Sequence, residues 1–349
     1  MISYLGSILV ALSALLIMIM VHETGHYVAG KLLGFKINEF AIGFGPAFFK
    51  KTLKSGEIFS VRAIPLGGFC AFLGEDEENP TEEAFNNQKP WKRIIVLLSG
   101  VAFNVLTAII VFTVFFMIYG YSVPSVNKTY SFTNNTENVL QAGDRILQVD
   151  DRNVYSIYES NLPKLINEAG DEMVLTIDRN GSKIEVEAVK QEYTFVNDEG
   201  QAELKTGLGI QIQFVSYKFG LFGSLWRSLV SCGQIVDLIV TTIGKIFTGI
   251  LGVKGNLAGP LTTIAAISST TASYGLSGYL SVLAVISVSI AFTNLLPLPA
   301  LDGSRVVFTA IEWIRRKPIN RKVEGMIHAI GLLVLFSLTI LLDILNFIK

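Results

Sequence analysis

Long apolar runs alternate with charged stretches along this chain. Residues 1–21 contain no charged side chain, and further runs without Asp, Glu, Lys or Arg extend from 94 to 119, 255 to 301 and 326 to 342. About 20 consecutive apolar residues span the ~30 Å hydrocarbon core of a bilayer. The pattern predicts a polytopic α-helical membrane protein with four transmembrane helices. We place them at Ile2 to Leu33, Ile94 to Tyr119, about Gly278 to Leu296, and Met326 to Leu342.

The region between the first two spans has a strand pattern. Residues 58–64 and 69–73 are rich in β-forming residues, and Pro65-Leu66-Gly67-Gly68 predicts a turn between them. Region 35–73 is apolar enough to be a membrane-associated β-hairpin or small sheet, and an ordinary cytoplasmic hairpin is the alternative. Its unpaired edge could add a substrate strand.

Residues 122–218 restore a soluble pattern. Residues 161–168 suit a short helix, and 173–177 and 184–189 alternate as strands around the turn Arg179-Asn180-Gly181. This insert is predicted to be one α+β domain. Residues 219–254 are apolar and aromatic but carry scattered charges, so we predict amphipathic helices at the membrane interface. A true span at 219–254 is the alternative.

The distribution of Lys and Arg predicts the orientation of the spans. Nine lie from Lys31 to Arg93 and six from Arg305 to Lys322. Short positive loops face the cytoplasm, whereas long inserts translocate regardless of charge. The 35–93 and 303–325 loops are therefore predicted to be cytoplasmic. Both termini and the 122–218 insert are predicted to be extracytoplasmic.

Composition limits the partners. Half of the 349 residues are hydrophobic and the net charge is −1, so the bilayer is an expected partner and nucleic acid is not. The two cysteines, Cys70 and Cys232, fall on opposite sides in the predicted topology, so neither a disulfide nor a cysteine zinc site is expected. The first run has no basic start, so we expect it to be retained rather than removed as a signal peptide.

The first span ends in His22-Glu23-Thr24-Gly25-His26, an H-E-x-x-H pattern. On a helix, residues four apart share a face, so His22 and His26 can bind one metal ion with Glu23 beside it as a general base. A chance match is the alternative reading. Two histidines and a glutamate inside a span are costly unless they are partnered, however, which favours a metal site.

The third span leads to a candidate for the missing ligand. It ends in the proline-rich segment 294–303, which contains Asp302. In the predicted topology, spans one and three run in the same direction, so Asp302 reaches the same half of the membrane as His22 and His26. The sequence thus predicts a three-ligand site.

These motifs together resemble the site-2 protease family of intramembrane zinc metalloproteases, in particular the bacterial regulator-of-sigma-E proteases. The matching stretches are His22 to His26, Gly43-Phe44-Gly45-Pro46, Pro65 to Phe69, Gly259-Pro260-Leu261, and Asn294 to Gly303 in the pattern N-x-x-P-x-P-x-L-D-G. Family members commonly have A-G-P-x-x-N in the second span, where this chain has Ser99-Gly100-Val101-Ala102-Phe103-Asn104. The insert looks like a single PDZ domain without a clear G-L-G-F loop.

The resemblance implies roles for individual residues. His22, His26 and Asp302 would be Zn²⁺ ligands, and Glu23 would be the catalytic glutamate. Asn294 would orient the substrate backbone. The candidate substrate-positioning residues are Asn294, Gly43, Gly45, Pro297 and Pro299.

The expected function is regulated intramembrane proteolysis in the bacterial cytoplasmic membrane. The substrates would be single-span membrane proteins, already trimmed by another protease, such as an anti-sigma factor or a remnant signal peptide. A metal transporter is a rival interpretation, but the other spans offer few polar residues for a pathway, chiefly Asn104 and His328. His328, near a helix start, suits an interfacial hydrogen bond. A catalytically silent scaffold is a second rival, although it has no need of Glu23.

Overall fold

The computed structural model describes residues 4–75, 81–154, 160–196, 201–252 and 254–347. They form two compact units. The helical unit comprises Met1–Phe115 and Leu225–Lys349, and the inserted unit comprises Phe116–Ser224.

Seven helices and ten strands make up the described chain, with one short 3-10 helix at Phe85–Asn87. The helices are α1 (Tyr4–Leu33), α2 (Pro90–Tyr119), α3 (Leu162–Glu168), α4 (Leu221–Phe247), α5 (Pro260–Leu295), α6 (Asp302–Arg315) and α7 (Arg321–Phe347). The strands are β1 (Ile37–Thr52), β2 (Ile58–Phe72), β3 (Tyr121–Thr129), β4 (Arg145–Val149), β5 (Arg152–Asn153), β6 (Glu172–Arg179), β7 (Ser182–Val189), β8 (Gln191–Val196), β9 (Ala202–Gly207) and β10 (Ile210–Tyr217).

Among the described residues, five helices rather than four are long and apolar enough to cross a membrane: α1, α2, α4, α5 and α7. The additional helix is α4, which continues unbroken where the sequence predicts amphipathic interfacial helices. The scattered charges do not interrupt it. Arg227 is buried and Lys245 lies in the last turn, whereas Asp237 is exposed near the middle of the helix. By length and composition, the prediction of four candidate spans is one too few.

Helix α5 is longer than the predicted third span and is broken at Gly275. That residue has φ 60° and ψ −135°, which a glycine adopts without steric cost. The two parts of the helix approach each other closely at this break. A Cβ built on Gly278 would collide with the backbone carbonyl of Thr270. The part of α5 that follows the break corresponds to the predicted span.

Strands β1 and β2 are long and bent, and together they form the predicted β region. Residues 39–42 of β1 are paired with both 58–61 and 68–71 of β2, so the two strands fold into a small sheet. The backbone bends at glycines with positive φ, including Gly43 and Gly45. Residues 68–71 have partners only on the side of β1 in the described sheet, and they therefore form an edge.

The inserted unit is an α+β structure with its own core. Its main sheet has the strand order β10-β3-β4-β6-β7, with β5 paired to β4, and β8 and β9 form a separate hairpin. Helix α3 contributes Leu162 and Leu165 to the core beneath this sheet. The turn between β6 and β7 lies at Asn180 and Gly181, both with positive φ. Its likeness to a PDZ domain stays a prediction.

Candidate metal centre

Helix α1 presents both histidines on one buried face. His22 is 6% exposed and His26 is 7% exposed. Their spacing of four residues turns both rings the same way, and the ring centroids are 4.7 Å apart in an edge-to-face arrangement. The two Nε2 atoms are 3.1 Å apart. Two ring nitrogens therefore point toward the same small volume.

Asp302, the first residue of α6, completes the cluster. Its Oδ2 atom lies 2.8 Å from His22 Nε2 and 3.3 Å from His26 Nε2. Zinc bound tetrahedrally with ligands at 2.0–2.1 Å separates its ligand atoms by roughly 3.3 Å. Two imidazoles and one carboxylate with this spacing fit a zinc ion. Among the described residues, these three form the one cluster of His, Cys, Asp and Glu suited to a metal.

Parallel packing of α1 and α5 brings these distant residues together. Ser13 Oγ on α1 is 3.4 Å from Tyr279 Oη on α5. Further along both elements, His22 of α1 lies beside Asp302, which follows the end of α5. Contacts that follow the same order along both elements show that they run in the same direction, as the charge distribution predicts. Buried residues of both helices, among them Met18 and Leu283, form the core between them.

Helix α2 orients His26 through its backbone. The His26 Nδ1–H donates to the Val96 carbonyl oxygen at 2.8 Å, which leaves the Nε2 lone pair free for a metal. The approach is close because of two glycines. A Cβ on Gly25 would collide with the Ser99 carbonyl, and a Cβ on Gly100 would lie 2.6 Å from His26 Nε2. Val96 and Gly100 are not among the residues that the sequence predicts for the site.

Two buried polar side chains near the site have no hydrogen-bond partner in the described part of the chain. They are His22, at its Nδ1 atom, and Asn104, at both amide atoms. Gly100 faces His22 Cε1, and Asn104 follows Gly100 by one helical turn on the same face of α2. The backbone carbonyl oxygen of Asn104, unlike its side chain, accepts a hydrogen bond from Ser287 Oγ at 2.8 Å.

Glu23 lies beside the three ligands and against the sheet edge. Its carboxylate accepts a hydrogen bond from the backbone N–H of Cys70 and interacts electrostatically with His22, His26 and Asp302. Cys70 belongs to the 68–71 edge of β2. An N–H group of this edge therefore points toward the general-base candidate rather than toward β1.

The proposed substrate-positioning residues lie in two places. Asn294 is half-buried near the end of α5. The backbone there is close to the site, because Gly303, next to Asp302, packs against the Leu295 and Leu296 carbonyls. Pro297 is exposed and Pro299 half-buried in the segment between α5 and α6.

Gly43 and Gly45 lie where β1 bends. The Gly45 carbonyl accepts a hydrogen bond from Arg62 Nη1 at 2.8 Å, and Gly43 packs against the Ile64 carbonyl. Contacts between β2 and α1 include those of Gly68 with Met20, of Cys70 with Glu23 and of Phe72 with Gly30.

An ion pair between exposed Lys31 and buried Glu57 joins the end of α1 to the turn before β2. Burial alone raises the pKa of the Glu57 carboxyl. The Lys31 ammonium, 2.6 Å away, and hydrogen bonds from Ser55 and Tyr27 outweigh that effect and lower the pKa to about 2. Glu57 thus stays ionised although it is 2% exposed.

Comparison with known proteins identifies the family. A protein of Clostridium perfringens is 30% identical over 338 residues, covering 97% of both chains. Proteins of Brucella suis (28% identical, 95% of this chain and 92% of the relative) and Rhizobium meliloti (29%, 93% and 92%) are similar over nearly the same extent. All three carry the provisional name zinc metalloprotease.

The sequence profile of peptidase family M50 matches residues 10–338, which includes every residue of the candidate metal centre. The resemblance to site-2 proteases and the prediction of a peptide-bond hydrolase are confirmed. The chain therefore belongs to peptidase family M50.

Proposed function

We propose that this protein is an intramembrane zinc metalloendopeptidase that cleaves single-span membrane proteins within or near their transmembrane segments. The observation that carries this proposal is the convergence of His22, His26 and Asp302 beside Glu23. The histidines lie on α1, and Asp302 follows α5, both helices long and apolar enough to cross a membrane. When bound, zinc would supply a Lewis acid that polarises the scissile carbonyl and makes water more acidic.

Glu23 is placed to act as the general base. Its carboxylate is beside all three ligands and is held on one side by the Cys70 N–H. From this position it would take a proton from the attacking water and deliver it to the nitrogen of the leaving amine. The Val96 carbonyl holds the His26 ring, so the His26 Nε2 lone pair would be available to bind the ion.

The substrate must be extended where it is cut, because a helix hides its carbonyl groups in internal hydrogen bonds. The 68–71 edge is suited to hold the extended segment by strand addition, since it has a free side that faces Glu23. Asn294, near the end of α5, would supply an amide to hold the substrate backbone. Pro297 and Pro299 have no backbone N–H, so they cannot continue the hydrogen bonding of α5 into this segment.

The wider setting of the activity follows from the sequence. The distribution of Lys and Arg supports our proposal that the metal centre lies nearer the cytoplasmic face of a bacterial cytoplasmic membrane, with the inserted unit outside. A PDZ-like insert there would admit substrates whose bulky outer part another protease has removed. We propose anti-sigma factors and remnant signal peptides as the substrate classes.

Quantitative membrane proteomics of cells carrying wild-type protein or Glu23→Gln tests this function. Single-span fragments should accumulate in Glu23→Gln cells. Glu83→Gln makes the same chemical change at an exposed site and should leave the fragments at wild-type levels. Equal fragment levels in wild-type and Glu23→Gln cells would contradict the proposal.

A further inference from the structure

The third metal ligand follows an irregular segment. His22 and His26 are fixed by the hydrogen bonds of α1, whereas Asp302 follows residues 296–301, which lie outside any regular element. Pro297 and Pro299 cannot donate backbone hydrogen bonds. The position of the Asp302 carboxylate therefore depends on what holds this segment in place.

Ala300, two residues before Asp302, has an unfavourable backbone conformation. Its φ is +76°, in the left-handed region that residues with a Cβ rarely adopt. A residue with a Cβ persists in this conformation only when its surroundings hold it there. Contacts from outside the segment are needed to maintain it.

Helix α7 supplies those contacts. The Ala300 N–H donates to His328 Nδ1 at 3.0 Å. One turn further along α7, Gly331 packs so closely on Pro299 that a Cβ at this position would collide with the proline ring. A hydrogen bond and a close backbone contact thus fix two successive residues of the segment.

The ring of His328 is itself held in one orientation. Because Nδ1 accepts the bond from Ala300, the ring proton lies on Nε2, which faces Glu324 Oε1 at 4.0 Å. Phe308 packs edge-on against the ring, with 5.6 Å between centroids. Glu324 is held by Arg321 at 2.6 Å.

A buried charge network extends this support to α2 and α6. Arg321 also contacts Glu312 at 2.7 Å, and Glu312 contacts Arg93 at 2.6 Å. Arg93 and Glu312 are 4% and 6% exposed. The orientation of His328 is therefore linked to the helix that also orients His26.

We propose that His328 is a positioning residue for the metal centre, which holds the strained Ala300 backbone and thereby places the Asp302 carboxylate. This inference rests on the proposed zinc site. His328 does not reach the metal, and its effect is transmitted through three residues of backbone. It is distinct from the interfacial role suggested by its place in the sequence.

Zinc affinity of the purified full-length protein, measured by competition with a chelator, tests the inference. His328→Leu removes the acceptor at similar size and should weaken zinc binding about 10-fold, at the lower end of the effect of groups that orient metal ligands. His328→Asn keeps an acceptor near the position of Nδ1 and should restore most of the affinity. Ile330→Ala, at an exposed position of the same helix, should bind like wild type.

Two outcomes separate this inference from the function on which it rests. Asp302→Asn is measured in the same titration. If Asp302→Asn weakens zinc binding but His328→Leu binds zinc as tightly as wild type, His328 has no positioning role and the zinc site stands. If Asp302→Asn also binds zinc like wild type, the proposed site itself is wrong. A purely structural His328 would lower the unfolding temperature in both His328 variants without changing the zinc affinity of the folded protein.

Discussion

Gly100 on α2 lies directly against the imidazole of His26, so close that a Cβ on Gly100 would stand 2.6 Å from Nε2. The same Cβ would be 2.7 Å from His22 Cε1. The absence of a side chain at this position allows α2 to approach the metal centre and present the Val96 carbonyl to His26.

Gly100→Ala should therefore weaken zinc binding. The added methyl group must displace one or both imidazoles, and we expect a loss of affinity of about 10-fold or more, comparable to the removal of a group that orients a metal ligand. Chelator competition on the purified protein measures it. Gly233→Ala is the matched control, because this helical glycine has open space around its Cβ position, and zinc affinity should stay unchanged. Equal affinities for both variants would contradict the assigned packing.

Cys70→Pro should lower peptidase activity while leaving zinc affinity nearly intact. Proline removes the Cys70 N–H that donates a hydrogen bond to the Glu23 carboxylate. Proline is tolerated on an edge strand at a position whose N–H points away from the sheet. We expect a decrease in kcat/KM of about 10-fold or more, equivalent to the ~1.4 kcal/mol that one hydrogen bond to a charged group can supply.

Cys70→Ala is the control for the proline variant. It keeps the backbone N–H and removes only the buried thiol, which has no assigned role, so its kcat/KM should stay within about threefold of the wild-type value. If the alanine variant lost as much activity as the proline variant, the backbone N–H would not be the group that matters.

Much of the site can be predicted from residues with distinctive chemistry. The sequence shows the spacing of His22 and His26. It also shows the distribution of charge that predicts parallel directions for α1 and α5. Gly100 and Val96 could not be assigned in the same way, since a glycine in a helix and a backbone carbonyl carry no chemical signature. His328 was visible as a residue, but its partner is a backbone N–H in an irregular segment.

The fold shows the same division. The apolar runs predict the long helices, but they do not indicate where a helix breaks or where it continues past a charged residue. Sparse charges in α4 favour interfacial helices, but the helix continues without a break past buried Arg227 and exposed Asp237. The break in α5 lies at Gly275, inside a run without charges, where hydropathy gives no signal. The β region forms the predicted strands, and it contacts α1 through several residues, among them Phe40, Gly68 and Phe72.

Glu57 should make stability depend on pH in the acid range. Its pKa is about 2 in the folded protein, below the ~4.3 of an unfolded glutamate, so its contribution is complete above pH ~4.3 and is lost as the pH falls through 2. The difference in unfolding temperature between wild type and Glu57→Gln in detergent should be largest near pH 7. It should shrink steadily as the pH falls from about 4.5 toward 2.

Glu83→Gln is the control for the pH experiment. Its partner is Lys36, and both side chains are more than half exposed, so the pair should add little to stability at any pH. If the difference in unfolding temperature between wild type and Glu57→Gln stayed constant from pH 7 to 3, Lys31 would not hold Glu57 in its ionised form.

Asp343 should be essential for the start of α5. Its carboxylate oxygens accept from the N–H groups of Leu261 and Thr262, both at 2.9 Å, and from the Thr262 hydroxyl at 2.8 Å. Asp343→Asn turns one acceptor into a donor that faces another donor, so we expect a loss of roughly 1–3 kcal/mol in unfolding free energy. Thermal unfolding in detergent measures it. Asp237→Asn, at an exposed position of α4, should be within about 0.5 kcal/mol of wild type, and equal losses in the two variants would refute the capping role.

Cleavage of a single-span substrate in proteoliposomes, with the cut located by mass spectrometry and zinc quantified in the same samples, tests the central claim most directly. Wild-type protein should cut within or next to the apolar segment. Glu23→Gln should retain zinc and lose cleavage, whereas Asp302→Asn should lose both, because one residue handles the proton and the other holds the ion. Wild-type cleavage by a zinc-loaded Glu23→Gln protein, or full zinc occupancy in Asp302→Asn, would contradict the account.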